Sequence, residues 1–229
     1  MISLVVVLLA SYLVGAIPSS LWAGRIYKNI DIREYGSGNA GATNTFRVLG
    51  WKAGVIVLIV DFAKGLFAAA VISQLAWQIG GGPVSPAVWD PDSFLRIVCG
   101  AAAVFGHMFP VYASFEGGKG AATAAGMLYG IEPLSISIAV AVFLTVILLT
   151  RYVSLGSISG AIIYPISQFV LIRWFDWPID SSVVIFTLIL AAAIIAKHHG
   201  NIRRLINGTE NRIKSFKPAK GLLNEQPEN

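Results

Sequence analysis

Runs of apolar residues about as long as a bilayer is thick dominate this sequence. They cover approximately 2–24, 53–75, 94–114, 133–150, 154–174 and 181–196. A helix needs about 17–25 such residues to cross the hydrocarbon core. A soluble domain of this length would carry about a quarter charged residues, whereas here the share is 13% against 55% hydrophobic. A shorter apolar segment, 119–131, follows a glycine-rich stretch and reads as a half-embedded helix or a thin seventh span. Glu132-Pro133 marks its end, because proline disfavours helix at the residue before it. The expected fold class is therefore all-α, a polytopic bundle of about seven transmembrane helices. One membrane domain would fill 1–217, with a disordered polar tail over 218–229.

The basic residues set the expected orientation, since cytoplasmic loops carry the excess of Lys and Arg. The segment 25–52 holds Arg25, Lys28, Arg33, Arg47 and Lys52, and the region after 196 holds Lys197, Arg203, Arg204, Arg212, Lys214, Lys217 and Lys220. The segments 76–93 and 175–181 carry Asp90, Asp92, Asp176 and Asp180 and no Lys or Arg. The basic segments belong inside and the acidic ones outside. With seven crossings this puts the N-terminus outside and the C-terminus inside. The first span lacks a basic leader and contains Pro18, so it reads as a retained helix, not a signal peptide. A net charge of +5 then reflects lipid-facing loops and gives no reason to expect nucleic acid. The lone Cys99 supports neither a disulfide nor a metal cluster.

Four features carry possible chemistry. In Ser37-Gly38-Asn39-Ala40-Gly41-Ala42-Thr43-Asn44, followed by Arg47, small residues and neutral donors form a loop whose backbone N–H groups can cradle an anion. Arg47 adds a fork that matches phosphate. The alternative is a plain polar loop opening the next helix. The second feature is Gly106-His107-Met108-Phe109-Pro110 with Gly117-Gly118-Lys119-Gly120-Ala121-Ala122-Thr123, a glycine turn with one lysine at a helix start. It departs from the nucleotide P-loop because Ala113 and Gly120 stand where that motif needs Gly and Ser or Thr. The third is the run 197–210, where His198 and Asn201, and Asn201 and Arg204, share a helical face. Its adjacent histidines make a poor metal site. The fourth is Asp61 and Lys64 within an apolar span, spaced to pair. Each charge there costs on the order of 2.5–3.5 kcal/mol, and a structural ion pair is the plainer reading.

Taken together, these residues resemble the bacterial acyl-phosphate:glycerol-3-phosphate acyltransferase family (PlsY). The resemblance rests on SGNAGATNxxR at 37–47, GHxFPVYxxFEGGKGAAT at 106–123 and HHGNIRRLINGTE at 198–210, and it covers nearly the whole chain. It implies a seven-helix protein of the bacterial cytoplasmic membrane with a cytoplasmic active site. The implied reaction moves a fatty acyl group from acyl phosphate to the sn-1 hydroxyl of glycerol 3-phosphate, giving lysophosphatidic acid for phospholipid synthesis, with no cofactor and no metal. Ser37, Arg47, Lys119 and Asn201 would contact phosphate, with His198 and Ser154 completing the pocket. Gly38, Asn39, Thr43, Asn44, His107, Gly117, Gly118, Gly120, Thr123, Arg204 and Glu210 fall in the same motifs as substrate-binding candidates. Glu116 stands where the family commonly has Lys, which removes a positive charge from the glycine loop. The HX4D pair of acyl-CoA acyltransferases is absent, since Tyr112, Arg203 and Arg204 follow the three histidines at that spacing. The proton acceptor stays open between His198 and a phosphate oxygen of the donor. A soluble acyl-phosphate synthase is an open candidate partner on the basic face. The competing class, a transporter of organic phosphate, would favour an internal repeat, and none is present.

Overall fold

A computed structural model describes residues 2–79, 89–210 and 212. The expected tail 218–229, Lys214, Lys217 and Lys220, and residues 80–88 of the segment 76–93 expected outside, lie beyond the described residues. The described residues are largely helical and contain no strand. Five helical stretches are long and apolar enough to cross a membrane: Ile2–Lys28, Trp51–Gln78, Pro91–Ala113, Pro133–Thr150 and Val153–Phe175. A sixth is reached if Ser181–Ala196 and His199–Ile206, bent by 55°, count as one span. Reaching the expected seven requires both that pair and the short apolar helix Ala121–Ile131.

The chain divides into two compact units, one built from 2–79 with 94–131 and the other from 89–93 with 132–212. In the first, α1 (Ile2–Gly15) and α2 (Ser19–Lys28) are separated at Pro18, where one continuous helix was expected. Proline lacks the N–H that would continue the ladder. A three-residue 3₁₀ turn, Ile32–Glu34, leads to α3 (Ala42–Leu49) and then α4 (Trp51–Phe67). The latter widens into a π-helical turn over Ala68–Ile72 and continues as α5 (Ser73–Gln78). Helix α6 (Pro91–Met108) and the short α7 (Ala121–Ile131) complete this part of the chain.

Small residues bring these helices together, as membrane packing favours. A Cβ on Gly65 would lie 1.9 Å from the Thr123 carbonyl, and one on Gly126 would lie 1.9 Å from that of Phe62. Helices α4 and α7 therefore touch backbone to backbone. One buried cluster joins Val7, Ala68, Ile72, Leu95 and Ala103. A second, Ala23, Ile32, Val48, Leu49, Ala53 and Val57, holds the 3₁₀ turn and α3 against α2 and α4.

The second unit contains α8 (Pro133–Thr150), α9 (Val153–Phe175), α10 (Ser181–Lys197) and α11 (His199–Ile206). Glu132 caps α8 by accepting from the Leu134 and Ser135 amides at 3.2 and 2.6 Å, with proline in the first turn. Gln168 of α9, fully buried, donates to Thr187 of α10 at 3.2 Å. Leu149 is 80% exposed at the end of α8, which suits a lipid-facing helix.

Candidate active site

The first loop is organised from α3. Asn44 is fully buried. Its Nδ2 donates to the Ile32 and Tyr35 carbonyls at 3.1 and 3.0 Å. Its Oδ1 accepts from the Ser37 amide at 2.8 Å and the Ser37 hydroxyl at 3.1 Å. A primary amide has two N–H donors and one carbonyl oxygen, and all are engaged. Asn44 thus frames the loop.

The second loop leaves α6 and folds back on its end. Gly117 N–H donates to the Met108 carbonyl at 3.2 Å and Gly118 N–H to that of His107 at 3.1 Å. A Cβ on Gly118 would lie 2.2 Å from His107 Nε2 and 2.5 Å from the Ala40 carbonyl. Only glycine lets the two loops meet there. Arg33 ties them from the other side. It forms a two-pronged pair with Asp31, with Nη2 2.7 Å from Oδ2 and Nε 3.1 Å from Oδ1. Its Nη1 donates to the Ala113 carbonyl at 3.2 Å and lies 3.5 Å from the Glu116 carboxylate. The Arg33 guanidinium holds the Asp31 carboxyl below its ordinary range. Glu116 therefore faces Arg33.

Between the loops opens a cleft of about 530 Å³. Ser37, Asn39, Thr43, Arg47, Lys119 and Gly120 line it, together with Asp61 and His107. Gly117 and Gly118 instead border a small crevice that shares His107. Thr123 is fully buried on α7, away from the cleft lining. The close approach of α4 and α7 covers it. Gly38 supplies a left-handed turn (φ 71°) and is likewise absent from the lining.

Beside the cleft lies a buried polar network. Asp61 and Lys64 pair at 2.8 Å, as their spacing predicted. Ser19 donates to Asp61 Oδ1 at 2.6 Å, Lys64 donates to the Ile17 carbonyl at 2.9 Å, and Lys64 Nζ lies 3.2 Å from His107 Nδ1. Sequence reasoning missed Ser19, Asp61 as a cleft residue, and Arg33. Only the buried charge at Asp61 gave a signal.

The second unit has a pocket of its own, about 370 Å³, lined by Ser154, Ser157, His198, Asn201, Glu210 and Arg212. Ser154, Asn201 and Arg204 all donate to the Glu210 carboxylate, at 3.1, 2.9 and 2.7 Å. The shared face of Asn201 and Arg204 is therefore real, but its present acceptor is Glu210. Glu210 thus orders these three donors. The Asn201 amide, then Arg204 and Ser154, hold the Glu210 carboxyl below its ordinary range. His198 Nδ1 lies 2.8 Å from the Ile194 carbonyl. Arg212 stacks on Tyr152 at 4.7 Å. No three His, Cys, Asp or Glu side chains are grouped to hold a metal among the described residues.

A sequence model described as glycerol-3-phosphate acyltransferase matches residues 5–208. The chain belongs to the glycerol-3-phosphate acyltransferase family. A glycerol-3-phosphate acyltransferase of Salinibacter ruber is 46% identical over 96% of this chain and 97% of its own length. One of Chlorobaculum tepidum is 45% identical over 93% and 97%. Among solved structures, the integral membrane glycerol 3-phosphate acyltransferase PlsY (YgiH) in its glycerol 3-phosphate form is similar with a TM-score of 0.63. It is 35% identical over 92% of this chain and 96% of that one. Its lysophosphatidic acid form gives 0.62. The family match takes in every residue lining the cleft and stops two residues short of Glu210.

Proposed function

We propose that this protein transfers a fatty acyl group from acyl phosphate to the sn-1 hydroxyl of glycerol 3-phosphate, releasing lysophosphatidic acid and phosphate. The observation that carries this reading is the single cleft lined by Ser37, Arg47 and Lys119 in a chain of this family. Two cations and a hydroxyl around one opening suit a phosphate. The related PlsY structures bear glycerol 3-phosphate in one form and lysophosphatidic acid in the other. Those are the acceptor and product of the proposed reaction.

Acyl phosphate is a mixed anhydride and needs orientation and charge stabilisation more than covalent activation. The acceptor hydroxyl oxygen attacks the acyl carbon, and the bond from that carbon to the phosphate oxygen breaks. Phosphate leaves with the electron pair. The hydroxyl proton passes to a phosphate oxygen of the donor. The alternative acceptor is His198. His198 Nδ1 meets a carbonyl at 2.8 Å, so it carries a proton, and Nε2 keeps a lone pair that can accept one. We place the protein in the bacterial cytoplasmic membrane with its N-terminus outside and the site facing the cytoplasm. Its partners on this reading are membrane lipid and, on the basic face, a soluble acyl-phosphate synthase.

The test is product formation by purified protein from acyl phosphate and radiolabelled glycerol 3-phosphate without acyl-CoA. Turnover only with acyl-CoA would overturn the donor. Uptake of the label into sealed proteoliposomes without acylation would point to transport. Lys119→Ala should lose nearly all turnover while staying folded, and His198→Gln separates the two proton routes through its pH profile.

A further inference from the structure

His107 sits at the end of α6, 8% exposed, with its Nδ1 turned into the buried network. The network has few ways to place its hydrogens. An ammonium carries three N–H donors and no lone pair. Lys64 directs one to Asp61 Oδ1 at 2.8 Å and one to the Ile17 carbonyl at 2.9 Å. The third meets His107 Nδ1 at 3.2 Å, nearer than the 3.5 Å that separates Nδ1 from Asp61 Oδ1. An atom facing an ammonium donor must accept. A proton on Nδ1 would set two N–H groups against each other. Asp61 is already served by Lys64 and by the Ser19 hydroxyl at 2.6 Å.

We propose that Lys64, anchored on Asp61, is a positioning residue that fixes His107 as the neutral Nε2–H tautomer. His107 then offers a hydrogen-bond donor to an anionic oxygen in the cleft and cannot act there as a proton acceptor. Nε2 has no hydrogen-bond partner among the described residues, and His107 lines the same cleft as Arg47 and Lys119. The assignment is opposite to that of His198, whose Nδ1 faces a carbonyl. The tautomer stands on geometry alone. That the anion is a phosphate rests on the function proposed above.

The experiment is nitrogen NMR on the full chain, labelled at its three histidines and held in lipid nanodiscs. Loss of one signal in His107→Gln assigns the residue. Wild type should show Nδ1 bare and Nε2 protonated throughout the neutral range. Saturating inorganic phosphate should move the Nε2–H resonance and leave Nδ1 in place. A proton on Nδ1 or an imidazolium at neutral pH would overturn the tautomer assignment, and an Nε2–H unmoved by phosphate would overturn the donor role in the cleft. In Lys64→Met, Nδ1 faces only Asp61 and should gain a proton; an unchanged tautomer would remove Lys64 from the role. Should that variant not fold, Asp61→Leu with Lys64→Met removes both charges and should populate both tautomers; a single Nε2–H form there overturns the proposal equally. KM for glycerol 3-phosphate should rise roughly tenfold in the folded Lys64 variant, the scale of one charge-assisted hydrogen bond. The NMR result does not depend on turnover, so failure of acyl transfer and failure of this assignment are told apart.

Discussion

The side chain of Asn44 holds the backbone of Ser37 in place, its Oδ1 2.8 Å from the Ser37 amide nitrogen. The same amide group holds the Ile32 and Tyr35 carbonyls. Truncating it leaves buried groups without partners, each costing about 1–3 kcal/mol. Asn44→Ala should therefore lower the melting temperature of the detergent-solubilised protein and abolish turnover together. Asn44→Asp keeps the acceptor but sets a carboxylate against two carbonyls, and should fail in the same way. Full activity in either variant would show that the loop holds itself.

Arg33 and Glu116 should not behave as equals. Glu116 is largely exposed and 3.5 Å from the guanidinium, so their pair is worth about 0–1 kcal/mol. Arg33 also grips Asp31 twice and the Ala113 carbonyl once. Arg33→Ala should raise KM several-fold, whereas Glu116→Ala should leave kinetics nearly unchanged. Glu116→Lys should bring no gain because the new cation meets Arg33. Steady-state kinetics on the three variants check this.

Gly118→Ala forces a carbon to 2.2 Å from His107 Nε2 and 2.5 Å from the Ala40 carbonyl. Overpacking of this kind costs about 1–3 kcal/mol, and relief must part the two loops. The expected result is a folded protein with turnover reduced at least roughly tenfold. Thermal melts and initial rates together test it.

Glu210 has a folded pKa below its unfolded one. Its contribution is complete above the ordinary value of about 4.3 and is lost as pH falls through the lower, folded value. Stability should be flat from neutrality down to that range on this account. Glu210→Gln should be impaired even at neutral pH, since an amide nitrogen cannot accept from Arg204. Melting curves across pH for both proteins decide it.

Much of this was legible in the sequence. Apolar run lengths located the helices, Glu132-Pro133 ended α7 where expected, and the spacing of Asp61 and Lys64 gave their pair. Other features depend on contacts between distant residues. Nothing local to Asn44 shows that three loop residues converge on it, and nothing near Glu210 shows that Ser154, Asn201 and Arg204 meet there. The interruption at Pro18 had a visible cause, yet Pro165 lies inside an unbroken α9. Proline alone therefore could not settle where a helix stops.

The close backbone approach of α4 and α7 at Gly65 and Gly126 limits how this enzyme can be re-engineered. With no side chain at either of these two positions, there is nothing to trim there that would widen the cleft. Any larger residue at those positions spreads the pair that carries Asp61, Lys64 and the start of α7. Room for a bulkier substrate has to be cut from the loops, at residues such as Thr43 or Asn39, leaving that seam intact.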